Sequence, residues 1–155
     1  MRNGEGMKQM VIREAEQRDI KPMAQLDIIC FHEPWSEEAF RSEIMENDRA
    51  FYIVAEIDDK LVGYAGLWAI VDEGHITNVA VAPECRRMGI GRAIISVLLE
   101  VAEQNGLNSF TLEVRESNLP AQALYQEFNF KPAGIRKGYY LDNGENAIIM
   151  WRKNE

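Results

Sequence analysis

The chain has 155 residues and a formal net charge of −8, with hydrophobic and charged residues in the proportions of an ordinary soluble globular protein. That length suits one domain, able to bury roughly two-thirds of its unfolded surface without a metal or a disulfide framework. The acidic balance argues against a broad basic face for nucleic acid and favours a cationic partner, such as a free amine or a basic peptide.

Residues 1–6 contain no apolar run, so neither a signal peptide nor an anchor is expected there. No stretch approaches the roughly 18 apolar residues of a membrane span, and a cytoplasmic location is expected. Residues 1–9 read as a flexible N-terminal extension and 10–152 as a single domain. Residues 10–13 are a short β-prone start. Asp19 can cap a helix that carries Met23, Leu26 and Cys30 on one stripe, Pro22 being tolerated in its first turn. Pro34 breaks that helix. Ser36, followed by Glu37 and Glu38, starts a second one, with acids at the positive end of its dipole and Phe40 and Ile44 turned inward.

Three strands follow. Residues 50–57 and 61–71 flank the turn Asp58-Asp59-Lys60, and Asp72-Glu73-Gly74 leads into 75–81, which Pro83 ends. From 91 to 104 the period becomes helical, with Ile94, Ile95, Leu98, Val101 and Ala102 on one side and Asn105-Gly106 as the closing cap. Residues 109–115 alternate as a strand, 119–128 read as a helix, and two last strands flank the hairpin signal Asp142-Asn143-Gly144. The order β-α-α-β-β-β-α-β-α-β-β predicts an α/β architecture, a mixed sheet with helices on its faces. The crossover after Val81 must set two strands side by side in parallel. Cys30 and Cys85 are two separate thiols and read as framework residues. His32 and His75 have no second ligand at i+3 or i+4, so no metal is expected.

The run Val79-Ala80-Val81-Ala82-Pro83-Glu84-Cys85-Arg86-Arg87-Met88-Gly89-Ile90-Gly91-Arg92 takes a strand through a two-glycine turn into a long helix. Such a turn presents backbone N–H groups at the positive end of a helix, which suits a pyrophosphate, and Arg86, Arg87 and Arg92 add charge at its mouth. A tight loop with solvated arginines would look similar. The Gly-Lys-Ser/Thr ending of a P-loop is absent. Arg86-Arg87-Met88-Gly89-Ile90-Gly91 resembles the R/Q-x-x-G-x-G/A signature of the GNAT acetyltransferases, and the likeness extends from about residue 10 to 151. The resemblance implies the GNAT acyl-CoA N-acyltransferase fold, with acetyl-CoA as co-substrate. It also implies that the loop's amides hold the pyrophosphate, and that Val79, Ala80 and Val81 pair with the pantetheine arm and polarise the thioester carbonyl.

Acetyl transfer to an amine needs a base. An α-amine with a pKa near 7.7–8.0 is roughly a tenth to a fifth neutral at pH 7, and only the neutral form attacks a thioester. In residues 109–115, Phe110, Leu112 and Val114 face one way and Thr111, Glu113 and Arg115 the other. Glu113 and Arg115 read either as a surface pair or, for Glu113, as a carboxylate near the strand end where ligands of such sheets gather. Leu112-Glu113-Val114-Arg115-x-Ser117-Asn118 resembles the L-E-V-R-x-S-N segment of the ribosomal-protein-alanine acetyltransferases, and that likeness implies Glu113 as general base, directly or through water. On the next helix Ala121, Leu124, Tyr125 and Phe128 share a face, which by itself makes Tyr125 a core aromatic. The segment is also similar to the GNAT pattern N-x-x-A-x-x-L-Y-x-x-x-x-F. That likeness implies Tyr125 as the general acid for the departing thiolate, and Asn118 as a CoA contact besides its capping position.

The choice of amine rests on shorter stretches of similarity, which point to an N-terminal residue. Pro34-Trp35-Ser36 resembles a P-W-S of the same enzymes, and Arg136-Lys137-Gly138-Tyr139-Tyr140 resembles their R-x-x-Y-Y strand, whose tyrosines line a peptide groove. Phe31, Trp35, Tyr139 and Tyr140 are the expected substrate-binding residues, set around a small first residue such as alanine. The family's usual E-D-A reads Glu145-Asn146-Ala147 here, so a charge contact at 146 is not expected. The implied reaction moves acetyl to the N-terminal amine of a small-subunit ribosomal protein, by a monomer or weak dimer. The rivals are acetylation of lysine side chains or of a polyamine, and a non-catalytic acetyl-CoA-binding regulator. The last should lack the base or the acid.

Overall fold

The computed structural model describes residues 9–153, so all but Gln9 of the expected N-terminal extension lies outside the described residues. The elements are β1 (Met10–Glu14), α1 (Ile20–Cys30), α2 (Glu37–Arg41), β2 (Ala50–Ile57), β3 (Lys60–Ile70), β4 (Glu73–Val81), α3 (Ile90–Gln104), β5 (Ser109–Arg115), α4 (Leu119–Glu127), β6 (Lys131–Arg136) and β7 (Ala147–Lys153). This is the expected order. The strands form one sheet, β1-β2-β3-β4-β5-β7-β6, antiparallel throughout except where β4 meets β5.

Local chemistry explains the departures. The β2–β3 turn has only two residues, Asp58 and Asp59, at φ 54° and 64°. Left-handed backbone at both positions matches the twist of paired strands, and aspartate tolerates it better than most residues. Glu73 and Gly74, expected in a turn, instead pair with Ile70 and Ala69, and the chain reverses at Val71 and Asp72. Asp19 stands at the start of α1 without capping it. Its carboxylate turns back to accept the Glu16 amide at 2.7 Å and the Arg13 guanidinium at 2.8 and 2.9 Å. Ser36 does cap α2, accepting from the Ala39 amide at 3.1 Å, and a π-type turn at Ser42–Glu46 extends that helix.

The sheet has a helix pair on each face. Ile20, Met23, Ala24 and Leu26 of α1 and Phe40 of α2 pack on Tyr52, Val54, Tyr64 and Ala80. Ile94, Ile95, Leu98 and Leu99 of α3 and Tyr125 of α4 pack on Ile53, Ala65, Leu67, Phe110, Leu112 and Val114. Because strand side chains alternate, Thr111, Glu113 and Arg115 fall on the α1–α2 face.

Candidate active site

The parallel pair is short. β4 and β5 are in register only over Glu73–His75 and Ser109–Thr111. Beyond that point β4 stays paired with β3 as far as Val81, and β5 with β7 as far as Arg115. The two strands therefore diverge, leaving the β4 edge at Val79, Ala80 and Val81 without a strand neighbour on the β5 side among the described residues. The register of β4 against β3 slips at Gly66/Leu67, where Asn78 and Ile76 are the successive partners and Thr77 is the extra residue. A bulge of this kind bends its strand, which accounts for the divergence.

The loop after β4 closes one end of the wedge. A 3₁₀ turn at Pro83–Cys85 is followed by Arg86, by Arg87 at φ 68° and by exposed Met88, and Gly89 begins α3 at φ 78°. Gly89 has no side chain to cap the helix, and its carbonyl receives the Ala93 amide at 3.0 Å. The amides of Ile90, Gly91 and Arg92 lie ahead of that first intrahelical bond, so they are donors for a ligand. The Ile90 side chain is core, 2% exposed, so its contribution to the loop is its backbone. Arg86 donates to the Val81 carbonyl at 3.3 Å. Arg92 is not a free charge at the mouth, because it forms two bonds with Glu127 at 2.9 and 3.1 Å that tie the start of α3 to the end of α4. The amides, the diverging strands and the arginines fit an acyl-CoA pyrophosphate and its extended arm.

Glu113 stands on β5 beyond its pairing with β4, and Tyr125 stands on α4. The Glu113 carboxylate is partly exposed and accepts from Arg136 at 3.0 Å, not from Arg115. Arg115 binds Asp142 at 2.8 Å and Glu145 at 3.2 Å, and its guanidinium lies 4.0 Å from the Tyr140 ring centroid. Tyr125 is buried against Phe130, with ring centroids 5.8 Å apart. Burial, with a smaller contribution from Tyr140, pushes its hydroxyl up to about 12, and among the described residues that hydroxyl has no hydrogen-bond partner. Burial and Tyr139 likewise push Tyr140 up to about 12, and burial and the Glu113 charge raise Tyr139.

Tyr139 and Tyr140, expected in a strand, lie in the loop after β6, edge to face at 5.0 Å. That loop is held by the Tyr140 amide on the Glu145 carbonyl and by the Gly138 amide on the Asn146 side chain at 3.0 Å. A neutral amide thus suffices at 146. Asn118 caps α4, accepting from the Ala121 amide at 3.2 Å. Phe31 is well exposed after α1, whereas the Trp35 ring leans on Phe40, with centroids 5.4 Å apart, and is partly core. An open cleft of about 370 Å³ brings the two loops together, lined by His32, Arg115, Asp142, Asn143 and Glu145. Sequence reasoning assigns none of this lining to the substrate, although the Asp142–Glu145 acids beside the R-x-x-Y-Y motif are a usable signal.

Residues 20–130 match the profile of the Acetyltransferase (GNAT) family. The chain is 41% identical over 140 residues to a Bacillus subtilis (strain 168) protein that carries the provisional name [ribosomal protein bS18]-alanine N-acetyltransferase, covering 90% of this chain and 93% of that one. The Escherichia coli (strain K12) [ribosomal protein bS18]-alanine N-acetyltransferase is 39% identical over 119 residues, 76% of this chain and 79% of its own. The crystal structure of the ribosomal-protein-S18-alanine N-acetyltransferase from Escherichia coli superposes with a TM-score of 0.87 at 33% identity, covering 94% of each chain. With the wedge between β4 and β5, the amide cradle and this breadth of similarity, the chain belongs to the GNAT family of acetyltransferases and takes acetyl-CoA as its co-substrate.

Proposed function

We propose that this enzyme acetylates the N-terminal α-amine, that of alanine, of a small-subunit ribosomal protein. The observation that carries the reading is the opening between β4 and β5, with the amides at the start of α3 at one end and Glu113 on the β5 wall. Acetyl-CoA supplies an activated acetyl thioester. The amides of Ile90, Gly91 and Arg92, with Arg86, Arg87, Met88 and Gly89 around them, hold the pyrophosphate, and Asn118 borders the same arm. The Val79–Val81 edge aligns the thioester. Glu113 takes the proton from the attacking amine. Tyr125 stays protonated until strongly alkaline pH and gives its proton to the departing thiolate. Phe31, Trp35, Tyr139 and Tyr140 line the place of the first residue, and the acids of the open cleft suit a basic segment behind it. Relatives named for bS18-alanine acetylation support this choice of amine. The same reading puts the enzyme in the cytoplasm, as a monomer or weak dimer, with no nucleic acid among its partners.

The test follows CoA release from acetyl-CoA with peptides beginning Ala-Arg, with internal-lysine peptides whose N-termini are blocked, and with spermidine. Turnover confined to free N-terminal peptides is the expected result, and changing the first residue tests alanine. Turnover on blocked lysine peptides or spermidine would replace this substrate class.

A further inference from the structure

The bulge in β4 does more than open the wedge. His75 is the last β4 residue in register with β5, opposite Thr111. Two residues further along are Thr77, in the bulge, and Glu113; the contact of Thr77 with Tyr52 puts it on the α1–α2 face, where Glu113 also lies, the two on the strands that border the opening wedge. Thr77 is exposed, yet its hydroxyl lies 3.1 Å from the hydroxyl of Tyr52, a residue only 3% exposed. The Tyr52 hydroxyl lies 3.0 Å from Glu43 Oε1 and 3.3 Å from Asn78 Oδ1. Glu43, in the turn after α2, also accepts from Trp68 Nε1 at 2.6 Å and from Asn47 Nδ2 at 2.9 Å.

Proton counting fixes the direction of this chain. A phenol has one proton, and the shorter, charge-assisted bond to the Glu43 carboxylate takes it ahead of the Asn78 amide oxygen. The Tyr52 oxygen is then an acceptor for the Thr77 hydroxyl proton. Thr77 Oγ1 is left with lone pairs and no proton of its own to offer, on the strand that borders the wedge opposite β5. An incoming amine has N–H bonds to place and one lone pair to aim at the thioester. Acceptors on the two bordering strands, the Glu113 carboxylate and Thr77 Oγ1, would suit that pose. We propose that Thr77 is a substrate-positioning residue that accepts a hydrogen bond from the attacking amine, and that buried Tyr52 and Glu43 act through it by fixing its hydroxyl as an acceptor.

This rests on the proposed amine transfer, but holds for whichever amine the enzyme prefers, so the measurement uses the best substrate among the peptides and spermidine. Thr77→Val keeps the shape of an exposed side chain and removes the hydroxyl. Its kcat/KM for the amine is expected to fall about five- to tenfold, the worth of one hydrogen bond, with KM for acetyl-CoA unchanged. Thr77→Ser should restore most of the rate. Tyr52→Phe, checked for native thermal unfolding, should lose about two- to fivefold alone and nothing further in the Thr77→Val background, since it acts through Thr77. Wild-type rates in Thr77→Val, failure of Thr77→Ser to rescue, or additive losses in the double variant would each overturn the proposal. Glu113→Gln run alongside separates the two readings: if it keeps full activity the general-base assignment fails, whatever Thr77 does.

Discussion

Tyr125 keeps its phenolic proton because the core around it excludes water, and in the proposed reaction that is what an acid waiting for a thiolate requires. With the hydroxyl at about 12, no descending limb in the pH profile of kcat should arise from Tyr125 below about pH 11. A limb that appears below pH 10 and disappears in Tyr125→Phe would contradict this environment. Tyr125→Phe and Glu113→Gln are each expected to lower kcat by roughly 10²–10⁴-fold, the usual worth of general acid–base catalysis, while acetyl-CoA binding measured by calorimetry is retained. The motifs singled out these two residues for the proposed roles. Their neighbours were not legible: that Glu113 pairs with Arg136, 23 residues away, depends on β7 lying between β5 and β6. Sequence spacing contains no sign of that insertion. Thr77 was silent for a similar reason, since a bulge shifts one residue without leaving a glycine or proline to mark it.

Elements were readable wherever the period was clean, as in α3 and β5, and misread where a side chain had a stronger partner elsewhere. Asp19 is the clear case. Sequence position makes it a helix cap, but Arg13 on β1 offers a guanidinium, which also binds Glu56 at 2.9 Å on β2. The network thus ties β1, the turn before α1 and β2 together. Burial alone would raise the Asp19 carboxyl, but the Arg13 hydrogen bonds and the Glu16 amide outweigh it and hold the group below its ordinary value. The sign follows. A lowered carboxyl gives its stabilisation in full above the unfolded value near 3.9 and loses it as pH falls through the folded one. Asp19→Asn should therefore cost about 3 kcal/mol in urea unfolding at pH 7, because it removes one partner of a nearly buried pair. Acidification should then cost the variant less than it costs the wild type. An equal acid loss in both proteins would mean that Asp19 is not the group being titrated. Gly66 is an element-scale feature with no sequence signal of its own: a Cβ there would sit 2.1 Å from the Tyr52 ring, so the glycine makes room for the ring that Thr77 leans on.

At the scale of the whole molecule, a net charge of −8 would act in opposite senses on acetyl-CoA and on a basic peptide, the amine substrate proposed. A basic N-terminal segment, the substrate proposed, would be drawn toward the molecule, and the open cleft, where Asp142 and Glu145 share the one guanidinium of Arg115, keeps an excess of negative charge. Acetyl-CoA carries phosphates and would meet a repulsive field until it came within reach of the proposed cradle, Arg86, Arg87 and the amides at the start of α3. Salt separates these effects by range. Screening lengths shrink from about 30 Å at 0.01 M to about 8 Å at 0.15 M, so the long-range field is lost while contacts at the cradle persist. Raising salt over that span should lower kcat/KM for a basic peptide several-fold, mostly through association. KM for acetyl-CoA should stay level or fall slightly, since the repulsion is screened first. A peptide with the same first residue and neutral residues behind it isolates the cause. Its kcat/KM should be nearly flat with salt, and if it drops as steeply as the basic peptide, steering by the acidic surface plays no part and the charge serves solubility alone.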